Sequence, residues 1–285
     1  MTSSPLPRPA RYFPVKDTPL RMEAGLLRHG VDLGNGPADT LFFQLDDQLE
    51  RYRAAKRATP PSRHALLARD DAERAIQAAA LDWLRTTLAR EHPELLVGLG
   101  ANASAAGFAD LVALVQEDVV VLRRLPDGGS AAIAVHVSIP SGWRPEGIHG
   151  AGFGAIHGPV PDFAKHPQAE RSMVDAMVER GPYVRFVWTV SADDVLDHHP
   201  EEGRREPWRV DGPGFLRVER QTTIPLPGLD AAIFLIRVHL YPFAELTTEQ
   251  RATLARAIEA MPPRVAAYKG LADARPLVLD VLRRA

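Results

Sequence analysis

The chain has 285 residues, 45% of them hydrophobic and 25% charged, with 34 basic against 36 acidic side chains and no cysteine. This is the composition of an ordinary globular protein long enough for one large domain or two modest ones. It excludes a disulfide framework, thiolate-ligated haem and cysteine-bound iron–sulfur clusters. It also gives no basic excess to draw a nucleic-acid backbone. Residues 1–15 have no apolar segment of signal-peptide length, and no run reaches the ~18 apolar residues of a membrane span. The expectation is a cytoplasmic protein.

Residues 1–40 are rich in Pro and Gly without a period and read as an irregular arm, with 41–285 forming a single domain. Phe42, Phe43, Leu45, Leu49 and Tyr52 recur at helical spacing up to Thr59-Pro60-Pro61, which ends the helix. A second helix is expected over 62–91, with Ala75, Ile76, Ala79, Trp83, Leu84 and Leu88 as its buried stripe, stopped by His92-Pro93. The period then falls to two. Residues 118–124 and 131–139 read as strands joined by a Pro-Asp-Gly-Gly turn. A long Gly/Pro-rich connection over 140–182 carries one helix, about 167–180. Three more strands follow at 183–190, 214–224 and 231–241, the last two a hairpin across Leu226-Pro227-Gly228-Leu229. Thr247 to Gln250 is a capping-box start for C-terminal helices over 247–284, broken by Pro262-Pro263. The fold class is α+β. Two strands, a helical segment and three strands suggest a PAS-like five-stranded antiparallel sheet with helical extensions at both ends.

Alternation sorts the strand side chains by face. Arg217, Glu219 and Gln221 share one side of their strand, and Arg185 and Tyr183 one side of theirs. Arg237 and His239 share a side of the last strand. Grouped together, they make one mixed face opposite one of nearly pure hydrocarbon. The mixed face is either solvated or a partly buried pocket in which arginines hold carboxylates.

His157, in Ile-His-Gly-Pro-Val-Pro, is either a core or turn histidine or a metal or haem ligand whose surroundings Pro159 and Pro161 stiffen. His136, His149 and His239 have no recognised metal spacing. His198-His199 reads as a solvated turn. The glycines of 150–158 match neither a phosphate loop nor a dinucleotide fingerprint, and no Gly-x-Ser-x-Gly elbow is present.

Five segments together carry a family resemblance: 42–56 (FFQLDDQLERYRAAK), 114–122 (LVQEDVVVL), 139–163 (IPSGWRPEGIHGAGFGAIHGPVPDF), 181–188 (GPYVRFVW) and 216–227 (LRVERQTTIPLP). The sequence resembles the haem-dependent oxidative N-demethylases, PAS-fold haem proteins. The resemblance implies a haem b monooxygenase-like enzyme that removes a methyl group from a small amine with O2 and releases formaldehyde. Its electrons come from NADPH through a separate flavin/iron–sulfur reductase. It implies His157 as the iron ligand, and it places Tyr183, Arg185, Arg217, Glu219, Arg220 and Gln221 in family motifs. On this reading Arg185 or Arg217 pairs with the haem propionates, with Tyr183 and Arg237 as further cofactor-binding candidates. Glu219 orients the substrate ammonium, held by Arg217 and Gln221. The sequence departs from the family pattern at Gly147, where a lysine is expected beside His149, and at Val187. The alternative is a haem-PAS sensor or gas-binding protein without turnover.

Overall fold

The computed structural model describes residues 5–16, 24–102, 104–161, 167–202 and 205–285. Asp162 and Phe163, the end of the third resemblance segment, lie outside them. The elements in chain order are β1 (Leu27–Arg28), α1 (Leu49–Ala58), β2 (His64–Leu66), α2 (Asp71–Glu91), α3 (Pro93–Gly98), α4 (Phe108–Val112), β3 (Asp118–Arg124), β4 (Ser130–His136), α5 (Phe153–His157), α6 (Pro167–Glu179), β5 (Tyr183–Ser191), β6 (Phe215–Leu226), β7 (Ala231–Pro242), α7 (Thr248–Glu259), α8 (Pro263–Tyr268) and α9 (Arg275–Arg284).

The sheet is antiparallel with seven strands in the order β1-β5-β6-β7-β3-β4-β2. The expected five are its long members. The two that the sequence does not reveal, β1 and β2, sit at the edges and are two and three residues long. No alternation can register over so few residues. β1 also makes the arm less irregular than its composition suggests. The first helix begins at Leu49 rather than near 41. Residues 41–48 approach the core without helix, and the buried Asp46 accepts from the Gln48 N–H and the Gln116 amide there. α2 begins at Asp71, because the Asp70 carboxylate caps it by accepting from the Glu73 N–H.

Register corrects the grouping of faces. Arg217, Glu219 and Gln221 of β6 stand opposite Leu240, Val238 and Ile236 of β7, and opposite Thr189, Val187 and Arg185 of β5. Arg220 and Val218 stand opposite Arg237 and His239. Arg237 and His239 therefore lie on the other face from Arg185 and Glu219. Alternation fixes sides within a strand, but only pairing fixes which sides coincide.

The back face packs on two sets of helices. One core joins α2, α3 and α4 to Val119, Val121, Ile224, Ile233 and Leu235. The other joins α7, α8 and α9 to Trp188, Val190, Leu216, Val218 and Tyr241. The front face is covered by α5, α6 and the segments 137–148 and 192–199. Phe153, Val174, Met177 and Val178 pack there on Leu122 and Ala232. Among the described residues, no helix is long and apolar enough to cross a membrane.

Candidate functional site

The front face is not fully covered. Arg185, Val187, Thr189, Glu219, Gln221, Phe234 and Leu240 are all half-buried, whereas their back-face neighbours are nearly all buried. The result is a partly covered face that mixes apolar side chains with a few polar groups, the usual composition of a small-molecule site.

Glycines set the position of His157. Gly150 N–H donates to Ala132 O, and Ala132 N–H donates to Ala151 O, both at 2.9 Å, so residues 150–151 continue along the edge of β4. A Cβ on Gly152 would lie 2.9 Å from Ser130 O. A Cβ on Gly154 would meet the Glu170 carboxylate, which instead accepts the Gly154 N–H at 2.8 Å. The glycine-rich stretch thus lets α5 approach strand backbone closely. It also makes the connection less irregular than expected, since α5 ends on His157.

The imidazole of His157 stacks on Phe153 at 4.0 Å. Its Nδ1 bonds Phe153 O at 2.8 Å, which assigns the proton to Nδ1 and the lone pair to Nε2. Burial holds its pKa below the usual histidine value. The Phe153 carbonyl opposes this, and Arg185 reinforces it. The ring is therefore neutral at pH 7, the state a metal ligand requires.

Arg185 projects from β5 without a hydrogen bond among the described residues, and its Nε is buried without a partner. Burial disfavours its charge, and the field of Glu219 partly compensates. Glu219 accepts from the Gln221 amide at 2.8 Å. Among the described residues it forms no ion pair with Arg185 or Arg237. Tyr183 lies at the start of β5 with the Arg28 guanidinium over its ring at 4.9 Å. Asp118 of β3 shares this face. Burial raises its pKa to about 6, and Lys56 opposes the shift at 3.9 Å.

The structure brings together His157, Arg185, Glu219 and Gln221. It sets others apart. Arg217 is fully buried, donating to Leu196 O and Ser141 Oγ at 2.8 Å and to three more carbonyls. Its donors thus clamp the segments 139–141 and 195–196 onto β6. Arg220, on the back face, donates to Leu41 O at 2.9 Å. Arg237 pairs with Asp46 at 2.6 Å under the Tyr52 ring. Sequence reading missed Tyr268 and Lys269 at the end of α8, which share the electrostatic field of Glu219. No local pattern marks them, because a helix remote in sequence delivers them.

His198 and His199 are buried, not a solvated turn. His198 bonds Asp193 at 2.8 Å, and burial lowers its pKa to about 4. His199, Glu146 and Glu202 hold ligand atoms within 4.8 Å of one another. A guanidinium already occupies this cluster: Arg63 donates to Glu202 at 2.7 Å and to Asp197 at 2.9 Å.

Fold and site define the class: an α+β protein whose antiparallel sheet bears, on one half-buried face, a neutral imidazole, a carboxylate and a guanidinium with no ion pair among the described residues. The chain belongs to the haem-dependent oxidative N-demethylase alpha subunit-like family, whose sequence profile matches residues 40–279. The family name carries haem dependence, and the word subunit implies a partner. The residues present fit a haem. Among the described residues Arg185 has no hydrogen-bonded anion, and only the field of Glu219 offsets its desolvation. His157 is a neutral imidazole with one nitrogen already oriented, the arrangement of a metal-bound histidine.

Proposed function

We propose that this chain is the haem-bearing component of an oxidative N-demethylase acting on a small amine. The observation that carries the reading is Arg185, a half-buried guanidinium without a hydrogen bond among the described residues, on the same sheet face as Glu219 and close enough to His157 to lower its pKa. A haem propionate would supply the charge-assisted hydrogen bonds this guanidinium lacks among the described residues. The order of the five long strands, with the first two beside the last, supports a PAS-like arrangement.

His157 would hold the iron, its ring fixed by the Nδ1–H bond to Phe153 O. Bound haem b supplies the activation of O2. The overall reaction consumes the methylamine, O2, two electrons and two protons, and gives the demethylated amine, formaldehyde and water. This chain has neither a cysteine for an iron–sulfur cluster nor a dinucleotide fingerprint. We therefore assign delivery of electrons from NADPH to a separate flavin/iron–sulfur component. Glu219 receives the substrate ammonium, whose desolvation on this half-buried face needs an opposite charge. The Gln221 amide holds one Glu219 oxygen and directs the other. Arg217 positions this strand by clamping the loops beside it.

The test is purification followed by absorption spectroscopy. A Soret band, and formaldehyde release from a methylated amine with O2 and a reductant, are expected. A protein that binds no haem under reconstitution overturns the reading.

A further inference from the structure

Register and alternation fix the neighbours of Glu219 on the front face. Val187 of β5 and Val238 of β7 are its direct cross-strand partners, and Arg217 and Gln221 stand two residues away on β6. Arg217 directs its donors to Ser141 Oγ and to the carbonyls of Ile139, Pro140, Val195 and Leu196. Gln221 turns its amide nitrogen to Glu219 Oε2 at 2.8 Å, which leaves Oε1 to receive a ligand. Val238 is buried in an apolar cluster with Tyr52, Ile139 and Leu196, which closes the β7 side. Val187 is half-buried, as Glu219 itself is, so the exposed side of the carboxylate lies toward β5. The nearest hydroxyl on that strand, Thr189, stands opposite Arg217 rather than Glu219. Arg185, in the next row, is a cation and accepts no hydrogen bond.

An ammonium that docks on this carboxylate therefore meets an acceptor with hydrocarbon on either side. An N–H turned toward Val187 or Val238 gives up water and finds no partner, whereas a methyl group there gives up little and gains contact. The class of amine sets how many N–H groups must be placed: three in a primary ammonium, two in a secondary and one in a tertiary. We propose that Val187 is a specificity-determining residue and that the substrate is a small tertiary amine, which offers its one N–H to Glu219 and its alkyl groups to Val187. The inference rests on the reading above that Glu219 receives the substrate ammonium, and it adds the class of amine and the residue that selects it. It also bears on product release. Removal of a methyl group leaves an N–H in place of hydrocarbon, so the secondary amine formed fits the valine less well than the substrate did.

The experiment titrates methylamine, dimethylamine and trimethylamine, all cations at pH 7, into the haem-loaded full chain and follows binding by calorimetry. Wild type is expected to bind more tightly with each methyl added, by about tenfold per step. Val187→Thr keeps the shape of the side chain and adds a hydroxyl acceptor, so methylamine and dimethylamine should gain about tenfold relative to trimethylamine. Val187→Ala removes hydrocarbon without adding an acceptor, so trimethylamine should weaken about fivefold while the order of the three is kept. If Val187→Thr does not fold, the wild-type order and Val187→Ala still decide. Wild type that binds methylamine as tightly as trimethylamine, or folded variants that leave all three affinities unchanged, overturn the proposal. Failure of every amine to bind wild type, or a Glu219→Gln variant that binds trimethylamine as tightly as wild type, overturns the reading of Glu219 instead, so the two failures are distinct.

Discussion

Gly152 is the position where a single methyl group tests how α5 is placed. An added Cβ falls 2.9 Å from Ser130 O, some half an ångström inside ordinary contact, and the obstacle is strand backbone rather than a mobile side chain. The neighbouring bonds cannot yield easily. Phe153 N–H donates to Ser130 Oγ at 2.8 Å, and the Gly150 and Ala151 bonds to Ala132 hold the segment on the same strand. Overpacking of this kind costs ~1–3 kcal/mol. The strain falls on the short helix that carries His157 on its last residue. Gly152→Ala is therefore expected to lower unfolding free energy by about 2 kcal/mol and to weaken haem binding. Gly147→Ala is the control: nothing lies within 4 Å of its added Cβ, so a change within about 0.5 kcal/mol is expected. Urea unfolding of the apoproteins and Soret titration report the two effects. Equal stability and equal haem affinity in the two variants would refute the placement of α5 by backbone contact.

Three other outcomes follow from the same geometry. His157→Ala should lose haem or change its absorption spectrum, and a wild-type spectrum at wild-type occupancy would remove this residue as the ligand. Glu219→Gln should keep its haem but release formaldehyde at least tenfold more slowly, since the ammonium loses its counter-charge; undiminished turnover would take Glu219 out of the mechanism. His136 stacks on His64 at 3.7 Å, and burial, with Lys56 and His64, lowers its pKa to about 2. With its folded pKa depressed, the unfolded state binds the proton first, so stability is full above pH 6.5 and is lost as pH falls towards 2. The loss attributable to His136 is about 2 kcal/mol by pH 5. His136→Phe keeps a ring in the stack and should flatten the decline in denaturant stability between pH 7.5 and 5; an unchanged slope would show that other groups cause it.

Much of the fold is legible in the residues themselves. The five long strands run over seven to twelve residues, and Thr247 with Gln250 forms the expected capping box at α7. What fails is information carried by pairing. Arg237 and His239 look like neighbours of Arg185 until register turns them to the opposite face. His198 and His199 look solvated because they lie among acids, yet Asp193 and Glu146 are the partners that allow their burial. The family resemblance singles out His157, Glu219 and Gln221, which the structure places on or against one sheet face. It does not single out Lys269, whose relation to Glu219 exists only after the C-terminal helices pack against β5.

The outermost strands, two and three residues long, matter for how copies of this protein meet at high concentration. An unpaired strand edge is a template on which another chain can add itself. Here one border offers only Leu27 and Arg28, with Lys269 holding the next stretch of β5, and the other offers His64 to Leu66, followed at once by residues 150–151. Trimming the arm through Arg28 would uncover Tyr183 and Val184, and with them a route to stacking of sheets between molecules.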